Sequence, residues 1–274
     1  MRQVDLMIER NLRLIRDAMG TWLDRRSIAA VNFFDFGMER VIACWLTGMV
    51  LLAIAKVTVA PTAAGGLAGL SAMILPFLAV TLAPVLGYRI AHACFPRDLL
   101  PAQPSIRLCR YGSWRPLDHL EARRSRAYGP TGFMASLLAG MMLNVPFRTA
   151  EFMLSMPAIP VNAPLWASTM MTVMTLDVVV LNFFYMVCFV MALRAAPLFP
   201  RMLIFTWVLD LVMQLLIAGQ VSQVAGLPPQ VAGALQSLLS GNIDKVLISA
   251  ALWLPYLILS ERVNVTFRHR VRSA

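Results

Sequence analysis

Asp177 and Asp210 stand inside the runs LDVVVLNFFYMV and WVLDLVMQLL, where most neighbours are apolar. A carboxylate at bilayer depth costs several kcal/mol, so such residues face protein or a wet cavity and often mark a path for protons or polar solutes. Other polar side chains fall on shared helical faces. At 100° per residue, Gly132, Ser136, Gly140, Asn144, Arg148 and Glu151 form one slowly rotating face; Thr206, Asp210 and Gln214 form a second, and Ser249, Trp253, Tyr256 and Ser260 a third. The small residues that begin the first face predict close approach of another helix, and Arg148 and Glu151, three apart, can pair together or bind other helices. Around Asp177 the pattern differs. Ser168, Thr172, Thr175 and Asn182 share one side and Asp177 lies nearly opposite, so its partner comes from another helix or its apolar surroundings hold it neutral.

Depth narrows the partners. At 1.5 Å per residue Asp177 lies roughly 18 Å below the outer end of its helix and Asp210 roughly 14 Å above the inner end of its own, which puts both near the midplane. Two carboxylates brought together there disfavour double ionisation. Arg148 is long enough to reach inward and makes Arg148–Asp177 the alternative pair. The candidate intramembrane polar site is therefore Asp177, Asp210, Gln214, Thr206, Arg148, Glu151 and Asn144, set against a purely structural reading in which polar groups between helices supply packing and specificity.

The elements that position these residues follow from composition. Hydrophobic residues make up 59% of the chain and charged ones 14%, well below the roughly 25% of a soluble domain. An all-α, polytopic membrane protein is expected, with apolar stretches of about 20 residues recurring and no ten-residue alternation of a β-barrel. Six spans are predicted: Val41 to Pro61, Gly69 to about Phe95, Thr131 to about Met156, Leu165 to Leu193, Met202 to Gln220 and Val246 to Ser260. The chain divides into an N-terminal region 1–40, a two-helix hairpin 41–96, a basic loop 97–130 and a four-helix membrane domain with a basic tail, 131–274.

Arginine sets the topology. Basic residues crowd the region before the first span, the loop between the second and third, the fourth–fifth turn and the tail, whereas residues 61–68, 157–164 and 221–243 contain no Lys or Arg. The positive-inside rule places both termini in the cytoplasm. The net charge of +10 is explained by that placement and by anionic headgroups, so nucleic-acid binding is not expected.

At the N terminus charges interrupt any signal-peptide core. Val4, Ile8, Leu12, Ile15, Met19 and Trp22 instead recur at helical spacing, predicting an amphipathic helix that lies on the inner leaflet or docks on a partner. In the central loop Phe95 to Pro116 is expected to be irregular, and a short helix is expected over Asp118 to Arg126. His92, Cys94, Cys109 and His119 do not follow a paired zinc-ligand spacing, and no nucleophile elbow, zinc-protease motif, Walker loop or dinucleotide fingerprint is present, so no metal, cofactor or enzymatic activity is predicted. After Pro228-Pro229 a short amphipathic segment is expected on the outer interface, before the last span.

The last span ends in WLPYLILSERVNVTFRHR. Trp253 and Tyr256 can seat amphipathic rings, and Arg262 and Arg268 can anchor the exit at the inner leaflet or dock a partner, as Trp22 can at the other end of the chain. Trp253, Pro255, Tyr256, Ser260, Arg262, Val263, Thr266 and Phe267 resemble the W-x-P-Y…S-x-R-V-x-x-T-F tail of the bacterial four-helix membrane proteins catalogued as domain of unknown function 2569. The resemblance covers about the C-terminal half, with Glu261 where a basic residue is expected, and implies a helical domain of a bacterial inner membrane without implying an activity. The sequence favours a non-enzymatic accessory, assembly or regulatory protein whose partners are the lipid bilayer and another membrane protein or a second copy of itself. The competing reading is a small proton-coupled transporter that uses the intramembrane carboxylates.

Overall fold

A computed structural model describes residues 25–60, 66–96, 103–104, 112–160 and 162–273. The amphipathic helix expected over residues 1–22, with Trp22, lies outside the described residues, as does most of the irregular part of the central loop. Helical residues 25–36 bend at Gly37 and lead into α1 (Met38–Thr58) and α2 (Gly66–Cys94). After β1 (Trp114–Pro116) and the single-turn α3 (His119–Arg124) come α4 (Phe133–Ser155), α5 (Leu165–Leu193), α6 (Phe199–Ser222), α7 (Pro229–Leu259), α8 (Glu261–Arg268) and β2 (Arg270–Arg272).

The protein is an all-α membrane protein, and α1, α2, α5, α6 and α7 are each long and apolar enough to cross a bilayer. At 23 residues α4 is long enough as well, but Asn144, Arg148 and Glu151 make it more polar than those five. Prolines Pro76, Pro84, Pro146 and Pro255 lie inside helices, where neighbouring helices can satisfy the backbone groups they release. Five of the expected spans match observed helices within a few residues, and the sixth needs correction. The last long helix begins at Pro229 rather than Val246, so the segment read as a separate interfacial helix and the residues read as a loop are one helix of 31 residues. An interior glycine costs only about 1 kcal/mol. Here Asn242 and Lys245 form bonds to Gln214 and Glu151 on other helices that hold the Ser240–Lys245 stretch helical.

The central helix is α5, against which α2, α4 and α6 pack; α1 packs on α2 and α7 on α6. Two apolar clusters fill this bundle. One joins Met134, Leu138, Leu181, Phe189, Leu203, Val246 and Phe267 among others, and the second joins Phe77, Phe152, Met153, Met174, Val178, Ile217 and Leu239. On α4, α5, α6 and α7 the buried polar residues Arg148, Thr149, Asp177, Asn182, Asp210, Gln214 and Asn242 fall where the chain passes from one cluster to the other. They form a polar layer sandwiched between two dry ones.

Beneath the bundle α8 folds back on its own chain, with Val263, Val265, Thr266 and Phe267 buried. Thr266 accepts the Gly129 N–H at 3.0 Å. The tail then pairs antiparallel with the central loop, setting Trp114 opposite Arg272, Arg115 opposite Val271 and Pro116 opposite Arg270. These two three-residue strands have no periodic signal in the sequence. The Leu117 N–H donates to the His269 carbonyl at 2.8 Å, and Arg270 lies 4.9 Å from the Trp114 ring centre, within cation–π range.

Half-burial, then the positive sides of His119 and Arg123, hold His269 below the ordinary histidine range, against a smaller opposite pull from Asp118. A lowered folded value means that the unfolded chain binds more protons, so this contribution is present above the ordinary histidine value and is lost as pH falls through that range. Acidification from about pH 7.5 to about 5.5 is expected to lower the protection of the Leu117 and Ser273 amides, each taken relative to its intrinsic exchange rate at the same pH, and His269→Asn to remove that dependence. Hydrogen-exchange mass spectrometry, with each rate referred to that of the unstructured amide at the same pH, reads the effect; protection that falls equally in both proteins would refute it.

Candidate functional site

The polar layer is built around one guanidinium. Arg148 reaches from α4 across the bundle, its Nη1 donating to Asp177 Oδ2 of α5 at 3.0 Å and its Nη2 to both oxygens of Asp210 of α6 at 2.8 Å. Gln214, one turn beyond Asp210, donates to Asp177 Oδ1 at 3.0 Å and to Asp210 Oδ1 at 3.3 Å. The Tyr185 hydroxyl of α5 donates to Asp210 Oδ2 at 3.0 Å, and Asn242 of α7 donates to Gln214 Oε1 at 3.4 Å. Four helices thus meet in one hydrogen-bonded network. Arg148, Asp177 and Asp210 retain 8%, 2% and 0% of their exposure, so water screens the cluster little. One guanidinium against two carboxylates leaves one negative charge when all three are ionised.

The geometry joins both alternatives that the sequence left open. Asp177 and Asp210 are neighbours, and Arg148 is the partner of each. Of the remaining expected members Gln214 is in the network and Thr206 is not: its hydroxyl donates to Met202 O of its own helix at 2.8 Å and lies 3.3 Å from Cys188 Sγ. Back-bonding to the preceding turn consumes the hydroxyl that the helical stripe seemed to offer. Glu151 turns away from Arg148 and pairs with Lys245 of α7. Asn144 bonds to none of these, and its buried Nδ2 has no acceptor among the described residues.

Beside the network lies a cleft of about 360 Å³, walled by α4 and α7 and floored by α5 and α6. Asn144, Arg148 and Glu151 line it from α4, Tyr185 from α5, Trp207 and Asp210 from α6, and Asn242, Lys245 and Trp253 from α7. Its volume falls within the range of small-molecule sites, about 300–1,000 Å³. Gly140 lines it too, and a Cβ there would meet nothing within 4 Å. The close helix contact expected at Gly140 is therefore open space. At the other end of the small-residue face, Gly132 sits at φ +64°, ahead of α4, with Arg262 against it, and Ser136 donates to Phe133 O of its own helix.

Both ends of the cleft are bounded by contacts between α4 and α7. The Glu151–Lys245 pair joins the helices at one end, and at the other Phe133 packs on Trp253 and Tyr256 with ring centres 4.9 and 5.1 Å apart. Trp253 and Tyr256 thus close a cleft in addition to any interfacial role. Arg262 donates to Thr131 Oγ1 at 2.6 Å and Arg268 to Asn264 Oδ1 at 2.9 Å, both within the chain itself.

Two network residues, Tyr185 and Asn242, and the cleft residue Lys245 escaped the sequence reading. Tyr185 carries a hydroxyl inside an apolar run, and a buried tyrosine hydroxyl usually finds a partner, a signal that was available. Asn242 falls in the 221–243 stretch that reads as a loop and Lys245 just ahead of the span expected from Val246, so neither lies on an expected helical face. No family model matches the chain, and neither a curated protein nor a solved structure is significantly similar to it.

Proposed function

We infer that the protein is a small proton-coupled transporter whose substrate enters the α4–α7 cleft and whose coupling group is the Arg148–Asp177–Asp210 cluster. One observation carries the reading: in a charge cluster with one carboxylate in excess, deep in the bundle, Arg148 and Asp210 form part of the wall of an open cleft, with Asp177 behind them. Polar groups used only to hold helices together need no surplus charge, and a surplus charge at this depth attracts a proton or a counter-charge. The contacts at the two ends of the cleft suit gates, because each joins α4 to α7 without filling the space between.

The same reading takes α4 as a sixth span, whose polar face is satisfied by α5, α6 and α7, and both termini as cytoplasmic, on the strength of the arginine distribution. It places the protein in a bacterial inner membrane and its C-terminal half in the family catalogued as domain of unknown function 2569, on the resemblance of the tail. The accessory reading is favoured by a different feature, the folded module of α3, α8 and the β1–β2 pair, whose Arg115 and Arg272 lie at the surface for a partner to meet.

The test is proton-driven uptake of labelled organic anions and amphiphiles into proteoliposomes, with a pH-sensitive dye inside. The wild type is expected to move protons with at least one solute, and Asp210→Asn, which keeps the shape and some hydrogen bonds, to lose that coupling while unfolding at a similar temperature. Coupling that survives in both Asp210→Asn and Asp177→Asn refutes the role of the cluster. The absence of any coupled flux, with a membrane partner that co-purifies until the basic tail is altered, supports the accessory role instead.

A further inference from the structure

The cleft is amphipathic along its length. At the end near the Glu151–Lys245 pair its walls are Asn144, Arg148, Asn242 and Lys245, and toward Phe133 they become Leu137, Met141, Leu203 and Trp253. Leu143 and Phe147, on the α4 rim, are more than half exposed, so the cleft opens sideways onto the apolar surface of the bundle rather than along its axis. A compact polar solute would leave the apolar half unfilled. A molecule with a polar head and a hydrocarbon chain would match both halves and could enter from the bilayer.

The unfilled hydrogen-bonding capacity identifies the head. The acids are already occupied: Asp210 accepts from Arg148, Gln214 and Tyr185, Asp177 accepts from Arg148 and Gln214, and Glu151 is paired with Lys245. Donors remain. The bonds of Arg148 to the carboxylates run from Nη1 and Nη2, which leaves its Nε–H unused by them, and Asn144 Nδ2 is buried with no acceptor among the described residues. A buried donor without an acceptor costs about 1–3 kcal/mol, a deficit that a ligand oxygen removes. Carboxylate and phosphate oxygens also make the strongest bonds to guanidinium and ammonium groups.

We propose that the α4–α7 cleft binds a single-chain amphiphile with an anionic oxygen head, a carboxylate or a phosphate, together with one proton. The head lies against Asn144 and Arg148, beside Lys245, which keeps one N–H beyond its bonds to Glu151 and Asn242, and the chain lies against Met141, Leu203 and Trp253. Because the two carboxylates already exceed the one guanidinium by one charge, an added anion is accommodated when the cluster takes up a proton. This names the substrate class of the cleft and rests on the reading of that cleft as a ligand site.

The experiment is equilibrium binding of labelled palmitate to the purified full chain in non-ionic detergent, with hexadecyl phosphate, methyl palmitate and hexadecyltrimethylammonium as competitors. Saturable binding is expected, displaced by the phosphate but not by the neutral ester or the cation, with proton uptake visible to a pH dye in weak buffer. Gly140→Leu should abolish it, since the added side chain enters open cleft and the helix gains a better helix former, so folding is preserved. Asn144→Leu should weaken it about tenfold, the worth of one hydrogen bond. Displacement by the ammonium compound as readily as by palmitate, or unchanged binding in Gly140→Leu, overturns the proposal. Palmitate binding without coupled flux leaves this inference standing and removes transport. Coupled flux of a solute that palmitate does not inhibit does the reverse.

Discussion

Arg148→Met is expected to be the most damaging single substitution in the described chain, lowering stability by about 3–5 kcal/mol, the usual penalty for removing one partner of a buried ion pair. Methionine fills much of the same volume, so the loss does not come from a cavity. It comes from Asp177 and Asp210, which are 2% and 0% exposed and would face each other without the cation that both now share. Arg148→Lys should recover only part of the loss, because one ammonium cannot reproduce a planar fork that bonds Asp177 from one nitrogen and Asp210 from the other. The decisive variant is the triple substitution Arg148→Met, Asp177→Asn, Asp210→Asn. With the charges gone its stability should return close to that of the wild type, since replacing an entire buried ion cluster is often neutral. Thermal unfolding in detergent, followed by far-ultraviolet circular dichroism, distinguishes the cases. A triple variant as unstable as Arg148→Met would mean that the arginine acts by packing rather than by charge.

The membrane class and the positions of five helices were legible in the sequence because apolar length is a one-dimensional signal. The polar faces of the later spans were legible too, because they follow helical phase. Which faces meet was not, since neither phase nor depth fixes the rotation of one helix against another. Arg148 and Asp177 could be named as a pair, and Asp177 and Asp210 as neighbours, but the shared guanidinium is a property of three helices together. Thr206 misled because a hydroxyl can spend its hydrogen bond on its own helix, at Met202, and no sequence pattern reports that choice. Asn242 was hidden for the opposite reason: it falls in the 221–243 stretch that reads as a loop, and the contacts that keep this stretch helical lie on α4 and α6.

Gly87 was equally silent and carries the second large expectation. On α2 it faces α5 so closely that a Cβ there would lie 2.5 Å from the carbonyl oxygen of Phe183 and 3.1 Å from its Cα. The obstacle is backbone, which no side-chain rotation relieves, so Gly87→Ala must push the two helices apart. In an ordinary helix interior the same change stabilises by about 0.5–1 kcal/mol. Here it should destabilise by about 1–3 kcal/mol, as overpacked cores do. Gly48→Ala on α1 and Gly219→Ala on α6 are the controls, because a Cβ at either position meets nothing within 4 Å. They should be neutral or slightly stabilising in the same unfolding assay. The contrast matters because α5 supplies Asp177 and Tyr185, so whatever displaces α2 from α5 disturbs the helix that holds one of the two carboxylates of the charge cluster. In membranes small residues stabilise helix pairs by letting backbones approach, and at Gly87 that mechanism sets the position of α5. Equal behaviour of all three alanine variants would show that the α2–α5 contact is more compliant than its geometry implies.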